Sequence, residues 1–462
     1  MAAISYWFLS PSVILALIGK LKGWDRTKPT PTFDWKTATL DVVIPAKNEE
    51  SNIALCLASL FDQDFRIRGV TVIDDASTDR TAQVVKRYIE LSGREVNVVV
   101  RSQSQGKTPG VREQCENSNA DALLVLDADT VLTHRNYASR LVENLFKGAG
   151  VASACGEVSP LTRNRRKVII DSHPVLARVQ SELGVEPGAR SSRFHALLES
   201  LTVIYRTSLY VFLQRILYDG HMKMYGSRLN PTGCAVAYRT QRLRECFTYA
   251  LPQMGDNLTN SEDIFIGHYF TWKGWRNVQV DDVRCESMEP GIDRLPQQLY
   301  LWSSSFLQAL YYFSELPLSP FKQAKNWAAG LFSRRRDEAP SGAQWRRIHE
   351  QYRAPWGENH TRRFGRHLGL LDLISLLEKV TYPALLLYFA FFNREAFWIS
   401  VGLEAILATT GVFVVADSGS RFKSAGMMLA ATPVRVLSLG VDLVATLRYL
   451  FDLGTGNRNW RK

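Results

Sequence analysis

The sequence predicts an α/β fold with a doubly wound, mostly parallel sheet, and transmembrane or interfacial helices at both ends of the chain. Between Thr39 and Ala128, short runs of Val, Ile and Leu alternate with polar segments of helix length. Long apolar stretches follow residue 380, and an uncharged run lies near residue 10. Alternating strands and helices are typical of parallel sheets, and apolar runs of about 18 residues or more are typical of membrane spans.

Composition narrows the class of protein and its partners. The chain has 462 residues, of which 46% are hydrophobic and 22% charged, with a net charge of +11. This length suffices for about two or three domains, and the composition excludes a disordered chain and a small disulfide-stapled domain. The arginines cluster beside apolar segments without a recognised nucleic-acid-binding module. We therefore expect contact with membrane lipid and none with nucleic acid.

The six cysteines are scattered, with no C-x-x-C pair and no histidine at zinc-binding spacing. In a chain of this size the pattern indicates reduced, buried thiols in a cytosolic compartment, and it argues against a zinc site.

Residues 1–28 are predicted to form an amino-terminal membrane anchor. The run from Ile4 to Ile18 is uncharged, and Lys20 and Lys22 follow it. A signal peptide would carry its positive charge before the apolar run, whereas charge after the run favours an uncleaved anchor with the following domain in the cytoplasm. An amphipathic interfacial helix with a bend at Pro11 is the alternative.

Residues 39–310 are predicted to form the α/β domain, because strand and helix patterns alternate at its start. The predicted strands are Leu40 to Ile44, Val70 to Ile73, Val96 to Val100 and Ala122 to Leu126. The predicted helices are Glu50 to Phe61, Ser77 to Leu91 and Lys107 to Asn117, with Asn48 and Ser77 as candidate caps.

A long helix is predicted from Phe194 to Tyr218. Its apolar stripe is interrupted by Arg206 and Arg215, which leaves two alternatives open: a helix inside the core and a helix on the bilayer surface. Residues 311–379 are predicted to form a basic linker with interfacial helices near anionic lipid, because residues 317–366 are rich in Pro, Arg and Trp.

Residues 380–452 are predicted to form carboxyl-terminal transmembrane helices, followed by a basic tail at 453–462. The apolar stretches are Thr381 to Phe392, Ala396 to Ala416 and Ala425 to Phe451, and the last either crosses once or bends at Pro433. Arg435 and Asp442 are seven residues apart, hence on one helix face, and we expect them to point at protein or at a polar cavity.

Acidic residues recur where the predicted strands end. Asp75 follows the second strand, Asp127 and Asp129 follow the fourth, and Glu262 and Asp263 begin a later helix. Ligands of open α/β sheets bind at the carboxyl ends of strands, and two hard oxygen donors there suit a cation bound to a diphosphate. Each motif alone is as typical of a turn or a helix cap.

In order along the chain, these motifs resemble those of the family 2 glycosyltransferases with a GT-A fold, over roughly residues 39 to 310. The resemblance comprises Pro45 and Glu49 in an IPxxNE-like opening, Asp75 in a DDxSxD strand end, Lys107 after a glycine, the DxD pair Asp127 and Asp129, and the pair Glu262–Asp263.

Later segments resemble the membrane-bound hyaluronan, chitin and cellulose synthases. Tyr238 and Arg239 end a segment similar to one that lines their acceptor side, and Gln298 and Trp302 match their QxxRW motif. The arginine of that motif is Leu301 here. The resemblance gives that arginine to the diphosphate, so Arg294, Lys107 or Arg239 supplies the charge, or the metal suffices, or product release uses a different gate.

The resemblance implies inverting transfer from a nucleoside diphosphate sugar, with a UDP-sugar favoured and Mn²⁺ or Mg²⁺ as cofactor. Asp263 is the expected general base and Asp129 the expected metal ligand. The expected nucleotide contacts are Pro45, Glu49, Asp75, Lys107 and Asp127. Acceptor binding or gating is expected of Tyr238, Arg239, Glu262, Gln298 and Trp302.

Three functions remain open. The first is elongation of a polysaccharide by an integral protein of the plasma (inner) membrane with its catalytic domain in the cytoplasm, coupled or not to translocation. The second is transfer of one or a few sugars to a lipid-linked acceptor, which Leu301 favours. The third is a non-catalytic membrane scaffold, against which the intact acidic residues argue.

Overall fold

The computed structural model describes residues 10–23, 34–148, 150–185, 193–254, 261–332 and 357–456. The strands are β1 (Leu40–Ala46), β2 (Ile67–Asp74), β3 (Asn97–Val100), β4 (Ala122–Leu126), β5 (Thr130–Leu132), β6 (Val151–Pro160), β7 (Ala235–Arg239) and β8 (Arg276–Ser287). The helices that precede β7 are α1 (Pro11–Lys22), α2 (Ile53–Phe61), α3 (Thr81–Ser92), α4 (Lys107–Asn117), α5 (Tyr137–Lys147), α6 (Arg163–Ser172), α7 (Pro174–Leu183), α8 (Arg193–Phe212) and α9 (Asp219–Tyr225). Those that follow it are α10 (Thr240–Met254), α11 (Glu262–Lys273), α12 (Leu295–Tyr312), α13 (Ser319–Phe332), α14 (Gly357–Phe364), α15 (Gly369–Phe392), α16 (Arg394–Val415), α17 (Arg421–Ala430) and α18 (Thr432–Thr455).

The strands form one mixed sheet in the order β3-β2-β1-β4-β7-β6-β8-β5. Strands β3, β2, β1 and β4 are parallel, β7 is antiparallel to both neighbours, β8 is parallel to β6, and β5 is antiparallel to β8. The predicted α/β class is therefore confirmed: the first four strands of the order are all parallel, and the other four combine parallel and antiparallel pairs. Because β7 reverses direction, its amino end lies beside the carboxyl end of β4.

The four predicted strands are confirmed, as are the three helices between them. Burial explains why: β4 is buried along its whole length and reads as a continuous apolar run, and β1 is buried at all but one position and is interrupted only by Asp41. Helices pack on both faces of the sheet. One core contains side chains from α2, α3 and α5, and the other contains side chains from α4, α10 and α11.

The carboxyl half of helix α8 lies inside the protein, as the first alternative expects, whereas Leu197 and Leu201 in its amino half are exposed. Tyr205, Leu209 and Phe212 are each 1% exposed, and they share a third core with Ala408 and Met428 of the carboxyl-terminal helices. The helix continues into a π-helical segment, Leu213–Tyr218, before α9. This long segment therefore joins the sheet to the carboxyl-terminal helices.

At the amino end, the described part of the predicted anchor is helix α1. Ser10 caps it by accepting a hydrogen bond from the amide of Val13, and Gly19 packs directly on Gly220 of α9. Residues 4–9 of the apolar run lie outside the described residues. The membrane placement of the amino-terminal segment stays a prediction.

Within the described chain, one helix, α16, is long and apolar enough to cross a membrane. Only 17% of its apolar 18-residue stretch is buried. The pair α17 and α18 satisfies the same test together, with a bend of 51° at the break between them. The break falls at Ala431, two residues before Pro433, and it agrees with the second of the two alternatives for this stretch, the bend at Pro433. Membrane insertion of these helices stays a prediction.

Arg435 and Asp442 contact protein side chains, as expected. Arg435 pairs with the buried Glu404 of α16. Asp442 pairs with Lys379 of α15 and accepts a hydrogen bond from Ser303 of α12. These contacts connect α12 to the carboxyl-terminal helices.

In the predicted basic linker, residues 333–356 lie outside the described residues, and they include part of the arginine cluster, Arg334, Arg335, Arg336, Arg346 and Arg347. The described part forms α13, α14 and the start of α15. All six cysteines are free, and Cys234 is the one that is only partly buried.

Candidate functional site

The candidate site lies at the edge of the sheet where β1, β2 and β4 end and β7 begins. The strand order changes direction between β1 and β4, and loops on either side of such a switch point leave a crevice. The amide of Asp127, just after β4, donates to the carbonyl oxygen of Cys234, just before β7, at 2.8 Å. Residues from both halves of the chain therefore meet at this edge.

Two loops at the edge are bonded to each other. Asn48 and Ala76 adopt left-handed backbone conformations, with φ of 57° and 58°. The amide of Asn48 donates to Ser77 Oγ at 2.9 Å, and the amide of Thr78 donates to Asn48 Oδ1 at 2.8 Å. Asn48 and Ser77 are thus loop-to-loop contacts, and the prediction that they cap helices is wrong, because α2 and α3 begin several residues later. Strained backbone of this kind is concentrated at functional sites.

Asp75 organises the loop that leads to Lys107. Its carboxylate accepts hydrogen bonds from Ser104 Oγ at 2.6 Å and from the amides of Gln105 and Gly106 at 2.8 and 2.9 Å. Arg101 adds an ion pair at 3.2 Å. Burial would raise the pKa of Asp75, but these donors outweigh it and hold the pKa below its ordinary value. We call this arrangement the Asp75 cradle.

Lys107 lies between two carboxylates. Its Nζ is 2.6 Å from Asp127 Oδ1 and 2.7 Å from Glu262 Oε1. Burial alone would lower the pKa of Lys107, but the two carboxylates raise it well above its ordinary value. Burial also raises the pKa of Asp127, which Lys107 opposes. Lys107 is therefore a fixed cation that joins β4 to α11.

Asp129 is held by groups from β5 and β8. Its Oδ1 accepts hydrogen bonds from Thr130 Oγ1 at 3.2 Å and from Ser287 Oγ at 3.4 Å, and its backbone carbonyl accepts from the amide of Met288 at 3.2 Å. Burial raises the pKa of Asp129, with Glu49 and Glu289 adding to the effect. A bound cation would relieve this unfavourable concentration of carboxylates.

The site suits a divalent metal that is shared with a phosphate ligand. In the described part of the chain, no three His, Cys, Asp or Glu side chains converge to hold a metal by themselves. Mg²⁺ in phosphate sites usually takes one or two carboxylates and completes its coordination with phosphate oxygens and water. Asp129, with Asp127 two residues away, provides that donor set.

Asp263 lies at the amino end of α11, next to the Lys107 partner Glu262, and is 6% exposed. It packs against Gly233, where an added Cβ would lie 2.9 Å from both Cγ and Oδ2 of Asp263. The carbonyl of Gly233 also accepts a long hydrogen bond from Lys107 Nζ at 3.4 Å. Gly233 therefore fits between two predicted site residues and allows Asp263 to approach the edge.

Pro45 and Glu49 line the side of the site formed by β1. Pro45 lies opposite Ile73 in the β1–β2 register. The Glu49 amide donates to Thr81 Oγ1, and its carboxylate accepts from Asn52 Nδ2, each at 2.8 Å. Burial raises the pKa of Glu49, while Asn52 and the nearby Arg166 oppose it.

The structure separates Tyr238 from Arg239. Tyr238 is buried on the face of β7 that packs on α11, and burial, with Asp263 and Glu262 nearby, raises the pKa of its hydroxyl well above its ordinary value. Arg239 projects from the other face. It donates to the carbonyl of Leu145 at 3.1 Å and lies 4.9 Å from the centre of the Phe146 ring. The predicted acceptor role of Arg239 is thus not supported by its position.

Gln298 and Trp302 lie one turn apart on α12 and both contact Arg206 of α8. Arg206 donates to Gln298 Oε1, and its guanidinium carbon lies 4.8 Å from the centre of the Trp302 ring. Its Nε is 3.4 Å from Glu289 Oε2, which belongs to the loop after β8. We call these four residues the Arg206 cluster. Arg294, a candidate cation by sequence, is exposed before α12.

Three site residues were missed by the sequence reasoning: Arg206, Gly233 and Glu289. For Arg206 a signal existed, since a charge interrupts the apolar stripe of α8. Gly233 and Glu289 gave none, because one is a glycine in a loop and the other an isolated acid before a proline.

Residues 41–198 match the family model described as Glycosyl transferase family 2. The matched range contains β1 to β6 and the residues Pro45, Glu49, Asp75, Lys107, Asp127 and Asp129. The chain therefore carries a glycosyltransferase family 2 domain, as the motifs predict.

Curated relatives match over part of their length. An N-acetylglucosaminyltransferase of Azorhizobium caulinodans is 29% identical over 133 residues, which cover 28% of this chain and 32% of that protein. The dolichyl-phosphate beta-glucosyltransferase of Homo sapiens is 28% identical over 160 residues, covering 31% of this chain and 47% of that protein. The matches thus span less than half of these relatives.

Among solved structures, a mannosyltransferase from Pyrobaculum calidifontis in complex with GDP-Man and Mn²⁺ aligns over 94% of both chains, at 15% identity and a TM-score of 0.45.

Proposed function

Because the chain carries a glycosyltransferase family 2 domain, we propose that it transfers a sugar from a nucleoside diphosphate sugar, with inversion, to a growing polysaccharide at the cytoplasmic face of the plasma (inner) membrane. The observation that carries the transferase function is the meeting of Lys107, Asp127, Glu262 and Asp263 at one edge of the sheet. A cation, a metal-binding motif and a carboxylate base are then within one crevice.

The donor nucleotide is placed against the ends of β1 and β2. Pro45 and Glu49 border the space for the nucleoside, and the Asp75 cradle orders the loop there. Lys107 and Asp127 face the diphosphate from β4 and α4. The Lys107 ammonium would lose part of its pairing with Asp127 when phosphate oxygens arrive, so donor binding is an exchange of ionic partners.

Mn²⁺ or Mg²⁺ held by Asp129, with Asp127 beside it, would neutralise charge on the leaving diphosphate. Asp129 itself is oriented by Thr130 and Ser287. These hydroxyl groups keep one carboxylate oxygen pointing in a fixed direction before a ligand arrives.

Asp263 is proposed to remove the proton from the acceptor hydroxyl. The acceptor oxygen forms a bond to the anomeric carbon as the bond from that carbon to the β-phosphate oxygen breaks, and the electron pair leaves with the nucleoside diphosphate. Attack from the opposite side inverts the configuration. A carboxylate placed for this proton transfer contributes about 10²- to 10⁴-fold.

We place the acceptor next to Trp302 and Gln298. An indole ring offers an apolar surface to the apolar face of a sugar, and Gln298 offers hydrogen bonds. Helix α12 is also bonded to the carboxyl-terminal helix α18: Ser303 donates to Asp442, and Tyr300 donates to Asp452. An acceptor at this end of the crevice would therefore lie next to helices that include the candidate span α16.

Transfer of one or a few sugars to a lipid-linked acceptor is the second candidate. Leu301 favours it, since the resemblance to polysaccharide synthases is incomplete at that position. The similarity to the dolichyl-phosphate beta-glucosyltransferase of Homo sapiens also favours it.

Purified full-length chain, incubated with Mn²⁺ and a panel of UDP- and GDP-sugars, tests the proposal through release of nucleoside diphosphate. The proposal expects one donor to be turned over, and a product ladder of rising mass on a gel. A single product of lipid-like mobility would select the second candidate. Turnover of no donor in the presence of native membrane extract would contradict transfer itself.

A further inference from the structure

Arg206 is a buried cation that projects from α8 towards the candidate site. Its side chain is 2% exposed. Tyr210 and Gln214 follow it at intervals of four residues, hence on the same helix face. Tyr210 donates to Glu289, and Gln214 bonds both the amide and the carbonyl of Val158 in β6. This face of α8 is therefore fixed against the carboxyl ends of β6 and β8, close to the site.

The position of Glu289 shows how close Arg206 is to the metal-binding motif. Glu289 follows Ser287 and Met288, and both of these bond Asp129, through the Ser287 hydroxyl and the Met288 amide. One end of the Arg206 guanidinium meets Glu289, and its face meets Trp302. Arg206 thus lies between Asp129 and the pair Gln298–Trp302.

The negative charge of the site favours a cation near Gln298 and Trp302. The carboxylates of Asp127, Asp129, Glu262, Asp263 and Glu289 surround the crevice, and Lys107 is already paired with two of them. A diphosphate adds further negative charge, and its charge grows on the leaving oxygen during transfer. A guanidinium can meet two phosphate oxygens with parallel hydrogen bonds.

Among the contacts of Arg206, the ion pair with Glu289 is the one that an incoming phosphate would replace. The Nε to Glu289 Oε2 distance of 3.4 Å exceeds the roughly 2.7–2.9 Å of a strong charge-assisted hydrogen bond. Glu289 also keeps its hydrogen bond from Tyr210 when Arg206 turns. On α12, Leu301 stands beside Trp302 in sequence and carries no charge, whereas the Arg206 guanidinium carbon lies 4.8 Å from the centre of the Trp302 ring.

We propose that Arg206, reaching across from α8, is the catalytic cation that contacts the leaving diphosphate on the Gln298–Trp302 side of the site. This inference rests on the proposed function. It assigns the missing charge to a residue 95 positions before Leu301 in the sequence, in place of Arg239 and Arg294, and it leaves Lys107 as the cation on the opposite side.

Calorimetric titration of the full-length chain with UDP and with GDP, each with saturating Mn²⁺, tests this assignment without turnover. Wild type is compared with Arg206→Gln, Arg206→Lys and the double variant Arg206→Gln/Leu301→Arg. Arg68→Gln is the matched control, because Arg68 also pairs with a carboxylate, Asp41, at the opposite end of the sheet. Melting curves report whether each variant folds.

We expect Arg206→Gln to bind the nucleotide at least about tenfold more weakly, and Arg206→Lys to bind about three- to tenfold more weakly because an ammonium lacks the paired donors. Arg68→Gln should bind as wild type does. The double variant should recover at least threefold of the lost affinity, since residue 301 lies beside Trp302. Where Arg206→Gln does not fold, Arg206→Lys decides.

If the folded Arg206 variants bind the nucleotide as tightly as wild type does, the role of Arg206 is overturned and the proposed function is not. Arg206 would then only position Trp302. A wild-type chain that binds neither nucleotide would overturn the proposed function, and this inference with it.

Discussion

The two sides of the candidate site are built differently. On the side of β1 and β2, side chains in short loops bond to nearby loops, as in the Asp75 cradle, where Ser104, Gln105 and Gly106 are consecutive. On the side of α8 and α12, the Arg206 cluster joins residues that are far apart in sequence through a buried ion pair and a ring contact. The first kind of construction leaves a motif in the sequence, and the second does not.

Removal of the metal should have the largest effect and should disable both sides. EDTA should abolish transfer, and Mn²⁺ or Mg²⁺ should restore it. Asp129→Ala should lower transfer more than about 100-fold even with excess metal, since loss of an outer-shell partner alone typically costs about 10- to 100-fold. Initial rates of nucleoside diphosphate release measure both effects. Full activity in EDTA would contradict the role of Asp129.

Gly233→Ala should mainly affect the chemical step. The new Cβ would lie 2.9 Å from Asp263 Oδ2, so the carboxylate has to move, and a displacement of about 1 Å can cost about 100-fold in rate. Donor affinity should stay within twofold. Gly69→Ala, whose Cβ meets only Asp41 at an ordinary 3.5 Å, is the control. Equal rates for the two variants would show that Asp263 needs no such fit.

Asp75→Ala should weaken the donor side alone. Without this carboxylate, the loop amides of Gln105 and Gly106 lose a charged acceptor, and Lys107 is less well placed. A loss of about 1.4 kcal/mol corresponds to tenfold weaker nucleotide binding, which calorimetry measures. Asp62→Ala, at the far end of α2, is the control. A change in acceptor KM without a change in nucleotide affinity would contradict this division.

Replacing His268 should have the smallest effect, because this residue lies away from the site. It contributes to stability through the contact between α11 and α15. Its Nε2 is 3.1 Å from Asp372 Oδ1, with both side chains fully buried. Burial would lower the pKa of His268, but Asp372 outweighs it and raises the pKa above 6.5. The charged pair therefore stabilises the folded chain below about pH 6.5, and this stabilisation is lost as the pH rises through the raised pKa.

Thermal unfolding midpoints across pH 6 to 9 test this sign. The difference in unfolding midpoint between wild type and His268→Gln should be largest at pH 6 and should decrease towards pH 9. His134 is exposed, so the control variant His134→Gln should have the same unfolding midpoint as wild type at every pH. A gap that widens with pH would show that His268 is neutral in the folded protein.

Much of the first half of the fold could be predicted because its strands are short buried runs of Val, Ile and Leu between regular helices. The reversal at β7 could not, since Ala235–Arg239 has the same composition as a parallel strand. Its direction is set by pairing with β4 and β6, which the local pattern does not record.

The site divides in the same way. Asp75, Lys107, Asp127, Asp129 and Glu262 were predicted from motifs, and the structure brings them to one edge. Tyr238 and Arg239 were predicted together as the end of one acceptor-lining segment, but successive residues of a strand face opposite sides of the sheet, so only one of the two can face α11. Arg206 is placed by helix packing over a long sequence separation, which no local motif records.

The measurement that tests the central claim most directly compares transfer and nucleotide binding in Asp263→Asn. We predict that transfer falls at least about 100-fold while the affinity for nucleoside diphosphate with Mn²⁺ stays within twofold of wild type, because Asp263 acts on the acceptor and not on the donor. Asp62→Asn, an exposed change of the same kind, should leave both unchanged. Retention of more than a few percent of wild-type transfer by Asp263→Asn would contradict its role as the general base.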